Sequence, residues 1–580
     1  MMIPRPQELR TASGAFHLSD GTGIACGDDP RCRAEGEYLR ERIRDLTGLN
    51  LSLASGAEAS AREGSILLHI TENLPGVAAK EEGYLLTVAP GGVRIEAAGD
   101  GGLFYGCESF TGLLQRDGER WLVPSVAIRD WPDFRWRGLL VDPARRFIPM
   151  PLLKQYVDLM ARGKLNVLHV HFTDNESYTL ESKRFPALNE WLDLPIRSVH
   201  SPDRFFGVYT HKDLKELVAY AERRKVTIVP EIGTPSHAAH IVALSPELRC
   251  RVADGYASET VLCAGSEKTY QVLEAILDEI APFFPGKVFH IGTDELDCSD
   301  IVINGKRVYC SSWDDCSVCR ERVRREGIAG HRQLFYYFAN RVKGLLDRHG
   351  KRLMMWSDPI DIASPHDLST EILVHFFRIA NVNWGPRRHC SYDKLLKAGF
   401  EVVNSHWPDT YANEAPFSER NLAEWHPALR PYVPPGLEHR VAGATLCAWG
   451  GPESFYLRML PPAIAMFGDR CWHKGKVDDP GAFARALPRH LFGPRLSPAL
   501  GEMLIRLGSI LPPATWNNLA GDRAFRYEDR PLPAGAVKDA EECRAVEELI
   551  AGEIRKNEVE NANVLAEYLE TFRWVREELV

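Results

Sequence analysis

Eight short apolar segments alternate with amphipathic helical patterns between residues 134 and 470. Such runs, with few polar positions, are typical of parallel strands that are buried on both faces. A strand, loop and helix repeated eight times predicts an α/β fold of the (β/α)₈ (TIM) barrel type. The strands are predicted at Gly138–Val141, Val167–Phe172, Thr227–Ile232, Val288–Ile291, Leu353–Trp356, Ile372–Phe376, Glu401–Asn404 and Ala444–Ala448. The clearest helices are predicted at Pro151–Arg162, Lys212–Arg224, Tyr270–Phe283 and Gln333–Arg348.

Two further regions flank the predicted barrel. Residues 1–130 alternate strands such as Ser65–Ile70 and Gly83–Val88 with turns and one helical segment, which predicts a small α+β supporting domain. Trp131-Pro132-Asp133 marks the boundary to a barrel over 131–470. Residues 471–580 predict a C-terminal helical region, and its charged amphipathic end at Glu542–Val580 could cap the barrel or pair with a second subunit in a homodimer.

Composition excludes several classes of protein. The 580 residues are 44% apolar and 26% charged, as in ordinary globular proteins. A net charge of −9 without a Lys/Arg-rich run argues against nucleic acid as the main partner. The sequence contains no run of about 18 apolar residues, so no membrane span is predicted. The start of the chain shows no secretory signal, and the 13 cysteines cannot all pair, so we expect a reducing, cytoplasmic location unless a leader has been removed.

Polar and aromatic side chains occur at the C-terminal ends of seven of the eight predicted strands, where barrel enzymes place their active sites. The most suggestive is Asp294-Glu295, after the fourth strand. Two adjacent carboxylates in a partly dry pocket have separated pKa values, which suits acid and base roles. A solvated acidic loop is the alternative. The strand-end residues are Asp142, Arg145, His171, Asp174, Glu231, His237, Asp294, Glu295, Trp356, Asp358, Tyr411 and Trp449.

Four motifs resemble those of glycoside hydrolase family 20, the β-N-acetylhexosaminidases. They lie at the first four predicted strands and occur in the family's order, at Arg137–Phe147, Lys164–Asp174, Val229–His237 and His290–Glu295. The stretch Ile3–Glu8 is also similar to the start of the family's small N-terminal domain. The resemblance covers roughly residues 1–470.

This resemblance implies a retaining exo-glycosidase that removes terminal β-linked N-acetylhexosamine from a glycan or glycoconjugate and needs no cofactor for catalysis. In substrate-assisted catalysis the sugar's own 2-acetamido oxygen attacks the anomeric carbon and gives an oxazoline. Glu295 would then be the general acid and base, and Asp294 would orient the acetamido N–H and stabilise the developing positive charge.

The resemblance also assigns substrate-binding positions one by one. Arg145 would bind sugar hydroxyls, Asp174 and His237 would surround the acid/base, and Tyr411 would hold the acetamido carbonyl. Trp356 and Trp449 would form apolar walls for the acetamido methyl group. A salt-bridged Arg145, a hydrogen-bonded core His237 and structural tryptophans are the alternatives.

The chain departs from the family pattern on the far side of the sugar. Thr293, Gly233, Ser236, Tyr178 and Phe377 replace the usual Gly, Asp, Gly, Trp and Trp. Asn413 and Gly451 stand where carboxylates near O4 and O6 are usual, and Glu453 or His406 could replace those contacts. The departures predict a preference for N-acetylgalactosamine or a broad specificity. A non-catalytic sugar-binding protein, or a glycosidase for a different sugar, remains the alternative.

One loop after the catalytic strand is rich in cysteine. Cys298, Cys310, Cys316 and Cys319 lie close together in the sequence, and the last two form a C-x-x-C motif. Four thiolates can bind a structural zinc tetrahedrally, with no open position for catalysis. Free thiols or a disulfide are the alternatives.

Overall fold

A computed structural model describes the chain apart from several loops and much of the C-terminal region. The residues outside the description are 56–62, 79–80, 191, 193–205, 252–256, 297–301, 304–305, 308–312, 362–366, 378–390, 413–423, 430–431, 451–454, 476, 495, 497, 499, 503, 505–535, 556–560, 562, 564, 567, 571–572 and 574–580.

The N-terminal domain is a mixed sheet of eight strands with two helices. Its central strands alternate buried and exposed residues, as a sheet with one covered face requires. The sheet order is β1-β8-β5-β6-β4-β2-β3, and β7 pairs with β8. The elements are β1 Glu8–Leu18, β2 Gly23–Cys26, α1 Pro30–Thr47, β3 Ser52–Ser55, β4 Ser65–Ile70, β5 Tyr84–Ala89, β6 Gly92–Ala97, α2 Asp100–Gly112, β7 Gln115–Asp117 and β8 Arg120–Asp130.

Eight parallel strands then close into a barrel, as the sequence predicted, in the order β10-β11-β14-β17-β18-β19-β20-β9. All eight predicted strands are confirmed, with ends that differ by at most three residues. The barrel strands are β9 Trp136–Val141, β10 Val167–Thr173, β11 Thr227–Ile232, β14 Val288–His290, β17 Arg352–Trp356, β18 Leu373–Phe376, β19 Glu401–Asn404 and β20 Val441–Ala448. Between β11 and β14 lies an antiparallel hairpin, β12 Arg249–Arg251 with β13 Ala257–Leu262, and after β14 lies a second one, β15 Val302–Ile303 with β16 Lys306–Arg307.

Helices cover the outside of the barrel and follow its last strand. The four helices singled out from the sequence correspond to α3, α4, α6 and α8. In the described part of the chain the α-helices are α3 Met150–Arg162, α4 His211–Glu222, α5 Ala239–Ala243, α6 Glu267–Ile280, α7 Ser317–Arg325, α8 His331–Asp347, α9 Tyr392–Lys397, α10 Trp407–Thr410, α11 Phe455–Trp472, α12 Pro480–Phe492 and α13 Ala536–Arg555. Among the described helices, none has the length and apolarity needed to cross a membrane.

The barrel interior differs between the N-terminal and the C-terminal ends of its strands. A cluster that includes Trp136, Val167, Met354 and Leu373 fills the N-terminal part. Side chains that follow the C-terminal strand ends are instead polar or aromatic. A packed lower layer fixes the strands, so the loops above them can present side chains in defined positions.

Buried ion pairs join the N-terminal domain to the barrel. Lys164, just before β10, lies 2.7 Å from the Asp130 carboxylate at the end of β8, and both side chains are buried. Tyr84 and the Trp472 indole donate to the same carboxylate at 2.6 and 2.8 Å. The two domains therefore share a satisfied polar junction.

Candidate active site

Asp294 and Glu295 lie in a tight turn directly after β14. The turn has three residues with positive φ: Gly292 at 74°, Thr293 at 86° and Glu295 at 56°. A β-branched residue such as Thr293 rarely adopts this conformation, so the turn holds backbone strain. The Thr293 hydroxyl donates to the Trp356 carbonyl oxygen at 3.2 Å, a contact that glycine could not make.

Neighbouring loops fix the turn that carries Asp294 and Glu295 from both sides. The Glu295 backbone N–H donates to Asp358 Oδ2 at 2.5 Å, and the Ser236 hydroxyl donates to the Asp294 carbonyl at 2.5 Å. The side chain of Asp294 is 14% exposed and that of Glu295 is 28% exposed. Glu295 therefore has the better access to a molecule that enters from solvent.

His237 links the carboxylate pair to a second acid. Its Nε2 lies 3.4 Å from Glu295 Oε2 and 3.6 Å from Asp294 Oδ2, and its Nδ1 lies 2.9 Å from Asp174 Oδ1. The imidazole is buried, yet the surrounding carboxylates outweigh the desolvation and raise its pKa well above the usual value. A protonated His237 thus places a positive charge against the pair.

Arg145 and His171 hold the other oxygen of Asp174. Arg145 Nη2 donates to Asp174 Oδ2 at 2.6 Å, and Nη1 donates to Asp142 Oδ2 at 2.8 Å. His171 Nε2 donates to Asp174 Oδ2 at 2.8 Å. Despite burial, Arg145 and the two histidines hold the pKa of Asp174 well below its ordinary range. The predicted positions Arg145, Asp174 and His237 thus form one charged chain.

Glu231 is the centre of a buried network below the catalytic pair. Its Oε2 accepts from His171 Nδ1 at 2.7 Å, and its Oε1 accepts from the Trp356 indole at 2.9 Å. His169 and His290 lie 2.9 and 3.2 Å from the same carboxylate, a grouping that could resemble a metal site. However, His290 Nδ1 already accepts from the Gly292 N–H at 3.0 Å. Glu231 itself already accepts from His171 and the Trp356 indole, so we interpret it as a hydrogen-bonded support of the turn.

Aromatic side chains form an apolar cluster beside the pair. Trp356, Phe377, Tyr411 and Trp449 pack with Leu140 and Cys447. Trp356 and Phe377 meet edge to face at 5.5 Å, and the Trp449 ring lies 5.7 Å from Trp356 and 6.0 Å from Tyr411. A parallel bridge between Tyr411 and Cys447 holds Tyr411 beside β20. All three predicted aromatic residues thus share one cluster with Phe377.

The ionisation of the pair differs from the expected pattern in one respect. Burial raises the pKa of the Asp294 carboxyl, an effect that His237 opposes and that the charges of Glu231 and Glu295 reinforce. The role expected for Asp294 requires its ionised form, and desolvation works against that form.

Five other residues named from the sequence are outside the described part of the chain, and two make local contacts. Asn413, Gly451 and Glu453 are outside the described residues, as are Cys298 and Cys310. His406 Nδ1 lies 2.7 Å from Asp409 Oδ2, and Tyr178 is buried beside Thr173.

Sequence reasoning did not assign a role to Glu231, Asp358 or Glu176. The first two were noted only as polar strand ends. Glu176 gave no signal beyond its position two residues after Asp174. It lies 3.9 Å from Arg145, and burial raises its pKa to about 8.

The comparisons with known proteins agree with this geometry. The family model "Glycosyl hydrolase family 20, catalytic domain" matches residues 134–449, and "Glycosyl hydrolase family 20, domain 2" matches residues 1–131. The chain belongs to glycoside hydrolase family 20. The resemblance noted from four motifs is therefore confirmed.

Curated relatives of this family 20 chain carry the name beta-hexosaminidase. That of Porphyromonas gingivalis is 31% identical over 374 residues, which are 62% of this chain and 45% of the relative. That of Akkermansia muciniphila is 30% identical over 58% of this chain and 65% of the relative. The chain spans 45% to 65% of the length of the first three curated relatives.

Solved structures support the fold of this family 20 member. The chitobiase of Flavobacterium johnsoniae superposes with a TM-score of 0.70 at 22% identity, over 99% of this chain and 92% of that chain. The β-N-acetylhexosaminidase of Bacteroides fragilis superposes with a TM-score of 0.66 at 24% identity, over 85% of this chain and 95% of that chain.

Proposed function

We propose that this protein is a retaining exo-glycosidase that removes terminal β-linked N-acetylhexosamine by substrate-assisted catalysis. The observation that carries the proposal is the placement of Asp294 and Glu295. Both lie at the C-terminal end of β14 within 3.6 Å of His237, and the adjacent Thr293 hydroxyl donates to the backbone carbonyl of Trp356, a member of the aromatic cluster. The family and the names of the curated relatives support the same activity.

In the proposed reaction, the substrate supplies its own nucleophile. The 2-acetamido carbonyl oxygen attacks the anomeric carbon as the bond to the leaving oxygen breaks, and Glu295 donates its proton to that oxygen. The product is a bicyclic oxazolinium ion. Water then adds to the anomeric carbon, Glu295 takes a proton from it, and the amide re-forms with net retention. Intramolecular attack removes the entropy cost of bringing in a separate nucleophile.

Asp294 would accept a hydrogen bond from the acetamido N–H and balance the positive charge that develops on the amide. The raised pKa of Asp294 suits this role, because the positive charge of the transition state favours the ionised carboxylate. The interaction is therefore stronger in the transition state than in the ground state, which is the condition for catalysis. Protonated His237 further favours the ionised form.

The aromatic cluster would hold the acetamido methyl group. Trp356 and Phe377 present flat apolar surfaces, and Tyr411 lies beside Trp449 at the edge of the same cluster. An apolar pocket excludes water from the amide and fixes its oxygen toward the anomeric carbon. The Tyr411 hydroxyl is the proposed donor to that oxygen.

We further propose a preference for N-acetylgalactosamine, or a broad hexosaminidase specificity. The support is the sequence: Asn413 and Gly451 lack the carboxylates usual near O4 and O6. Loss of these charged acceptors weakens selection for the equatorial O4 of the glucosamine epimer.

Release of p-nitrophenol from the β-N-acetylgalactosaminide and the β-N-acetylglucosaminide tests the proposal. We expect hydrolysis of at least one substrate, with a rate for the galactosaminide equal to or above that of the other. Glu295→Gln should lower kcat at least 10²-fold, since it removes the proton donor. Glu222→Gln, on the exposed end of α4, is the matched control and should leave the rate unchanged.

Two outcomes would contradict parts of this proposal. A glucosaminide rate far above the galactosaminide rate would remove the sugar preference but not the mechanism. No hydrolysis of either sugar by folded protein would favour the alternative, a non-catalytic sugar-binding protein or a glycosidase for a different sugar.

A further inference from the structure

Four cysteines from two neighbouring loops converge outside the active site. Cys250 lies in β12, Cys263 follows β13, and Cys316 and Cys319 lie at the start of α7. The Sγ atoms of Cys263 and Cys319 are 3.5 Å apart, and those of Cys250–Cys319 and Cys263–Cys316 are each 3.8 Å apart. All four Sγ atoms lie within 4.8 Å of one another, and all four side chains are buried.

These distances fit a tetrahedral metal site and not disulfides. A Zn–S bond of about 2.3 Å in a tetrahedron separates the sulfurs by about 3.8 Å. A disulfide needs an S–S distance of about 2.05 Å. None of the four is paired in a disulfide in the described structure. We propose that Cys250, Cys263, Cys316 and Cys319 bind one structural Zn²⁺ ion.

The backbone around the four cysteines is built for close approach. Gly265, two residues after Cys263, lies directly against the start of α7. A Cβ atom there would come within 2.5 Å of the Val318 carbonyl oxygen and 2.6 Å of the Cys319 nitrogen. The Trp313 indole donates to the Leu262 carbonyl at 3.0 Å, so the two loops also share a hydrogen bond. The C-x-x-C turn is thus held against the hairpin end that carries Cys263.

This zinc would stabilise the hairpin against which the loop that carries His237 packs. The Leu262 N–H donates to the Pro235 carbonyl at 2.8 Å, and the Ala238 N–H donates to the Thr260 carbonyl at 2.9 Å. These two bonds flank His237, which contacts Asp294 and Glu295. A metal at the end of β13 would therefore stabilise the loop that holds His237, without touching substrate.

The set of ligands differs from the one that sequence spacing indicated. Cys316 and Cys319 belong to both sets. Cys298 and Cys310 lie outside the described residues, whereas Cys250 and Cys263 come from the preceding β-α unit, more than 50 residues earlier in the chain. The two ligand sets therefore predict that different cysteine variants lose the metal.

The test is metal analysis of the full chain purified without chelator, followed by release of metal on thiol modification. We expect about one zinc per chain in the unaltered protein. Cys263→Ser and Cys250→Ser should lose at least nine tenths of it, while Cys298→Ser, Cys310→Ser and the distant control Cys107→Ala should retain it. Retention by Cys263→Ser, or loss by Cys298→Ser, would overturn the assignment.

A second measurement uses the unaltered protein and does not depend on the folding of any variant. Cobalt exchanged into the unaltered protein should show the thiolate-to-metal charge-transfer bands and the intense d–d bands of a tetrahedral four-thiolate site. Folded protein that holds no zinc and gives no such spectrum would overturn the proposal. So would iron in place of zinc, or a Cys263–Cys319 disulfide found by mass spectrometry of unreduced protein.

Discussion

At the residue scale, the candidate site is a chain of alternating charges. Asp142, Arg145, Asp174 and His237 lead in order to the Asp294-Glu295 pair, and each link is a contact of 3.6 Å or less. Because these groups are buried or partly buried, each charge depends on its neighbour. Removal of one member should therefore change the ionisation of the next. Removal of an isolated surface residue should not.

The pH dependence of kcat/KM should report this coupling. His237 lowers the pKa of Asp294, which burial raises, and the proposed mechanism needs Asp294 ionised. Activity should fall as the pH falls through the pKa of Asp294. In His237→Gln that pKa rises further, so the acidic limb should move to higher pH. The control is His17→Gln on the exposed face of β1, and an unmoved limb in His237→Gln would contradict the account.

At the element scale, regular structure was more predictable from the sequence than the partners of buried side chains. Apolar runs such as Leu353–Trp356 and Gly138–Val141 identify strands locally, because burial on both faces leaves little room for polar residues. Motif residues such as Asp294 are recognisable because they directly follow a strand. Cys250 was missed because its partners come from a different loop. Adjacency of the two carboxyls predicted separated pKa values, but the raised pKa of Asp294 in particular depends on burial, which depends on the whole site.

The contact between Gly265 and α7 gives a test of this packing. Gly265→Ala should lower the free energy of unfolding by about 1–3 kcal/mol, because the methyl group overlaps the backbone of Val318 and Cys319. The control is Gly344→Ala in α8, where a Cβ meets nothing within 4 Å. That change should leave stability equal or raise it by up to about 1 kcal/mol, since alanine favours helix. Equal changes in the free energy of unfolding by urea for Gly265→Ala and Gly344→Ala would refute the predicted clash.

At the scale of the whole molecule, the N-terminal domain and the barrel are joined by buried charge. Lys164 and Asp130 are both inaccessible to solvent, and Arg137 of β9 donates to Glu82 at 2.5 Å across the same junction. Breaking a buried pair by removing one partner leaves the other charge without compensation. The junction should therefore contribute to the stability of both domains.

Lys164→Met should lower the free energy of unfolding by about 3–5 kcal/mol, since it leaves the Asp130 carboxylate buried without its cation. Lys397→Met, which removes the exposed pair with Asp393, is the matched control and should cost less than about 1 kcal/mol. Adding Asp130→Asn to Lys164→Met should recover part of the loss. Chemical unfolding of the unaltered protein and the three variants measures these free energies. A small change in the free energy of unfolding for Lys164→Met alone would contradict the prediction.

The most direct test of the proposed mechanism is stepwise fluorination of the substrate's acetamido group. Each fluorine withdraws electrons from the carbonyl oxygen, so if that oxygen is the nucleophile, kcat/KM should fall steeply from acetamido through mono-, di- and trifluoroacetamido substrates. A rate that is nearly independent of fluorine content would show that the acetamido oxygen does not attack. It would move the nucleophile to a carboxylate of the protein and contradict the roles proposed for Asp294 and Glu295.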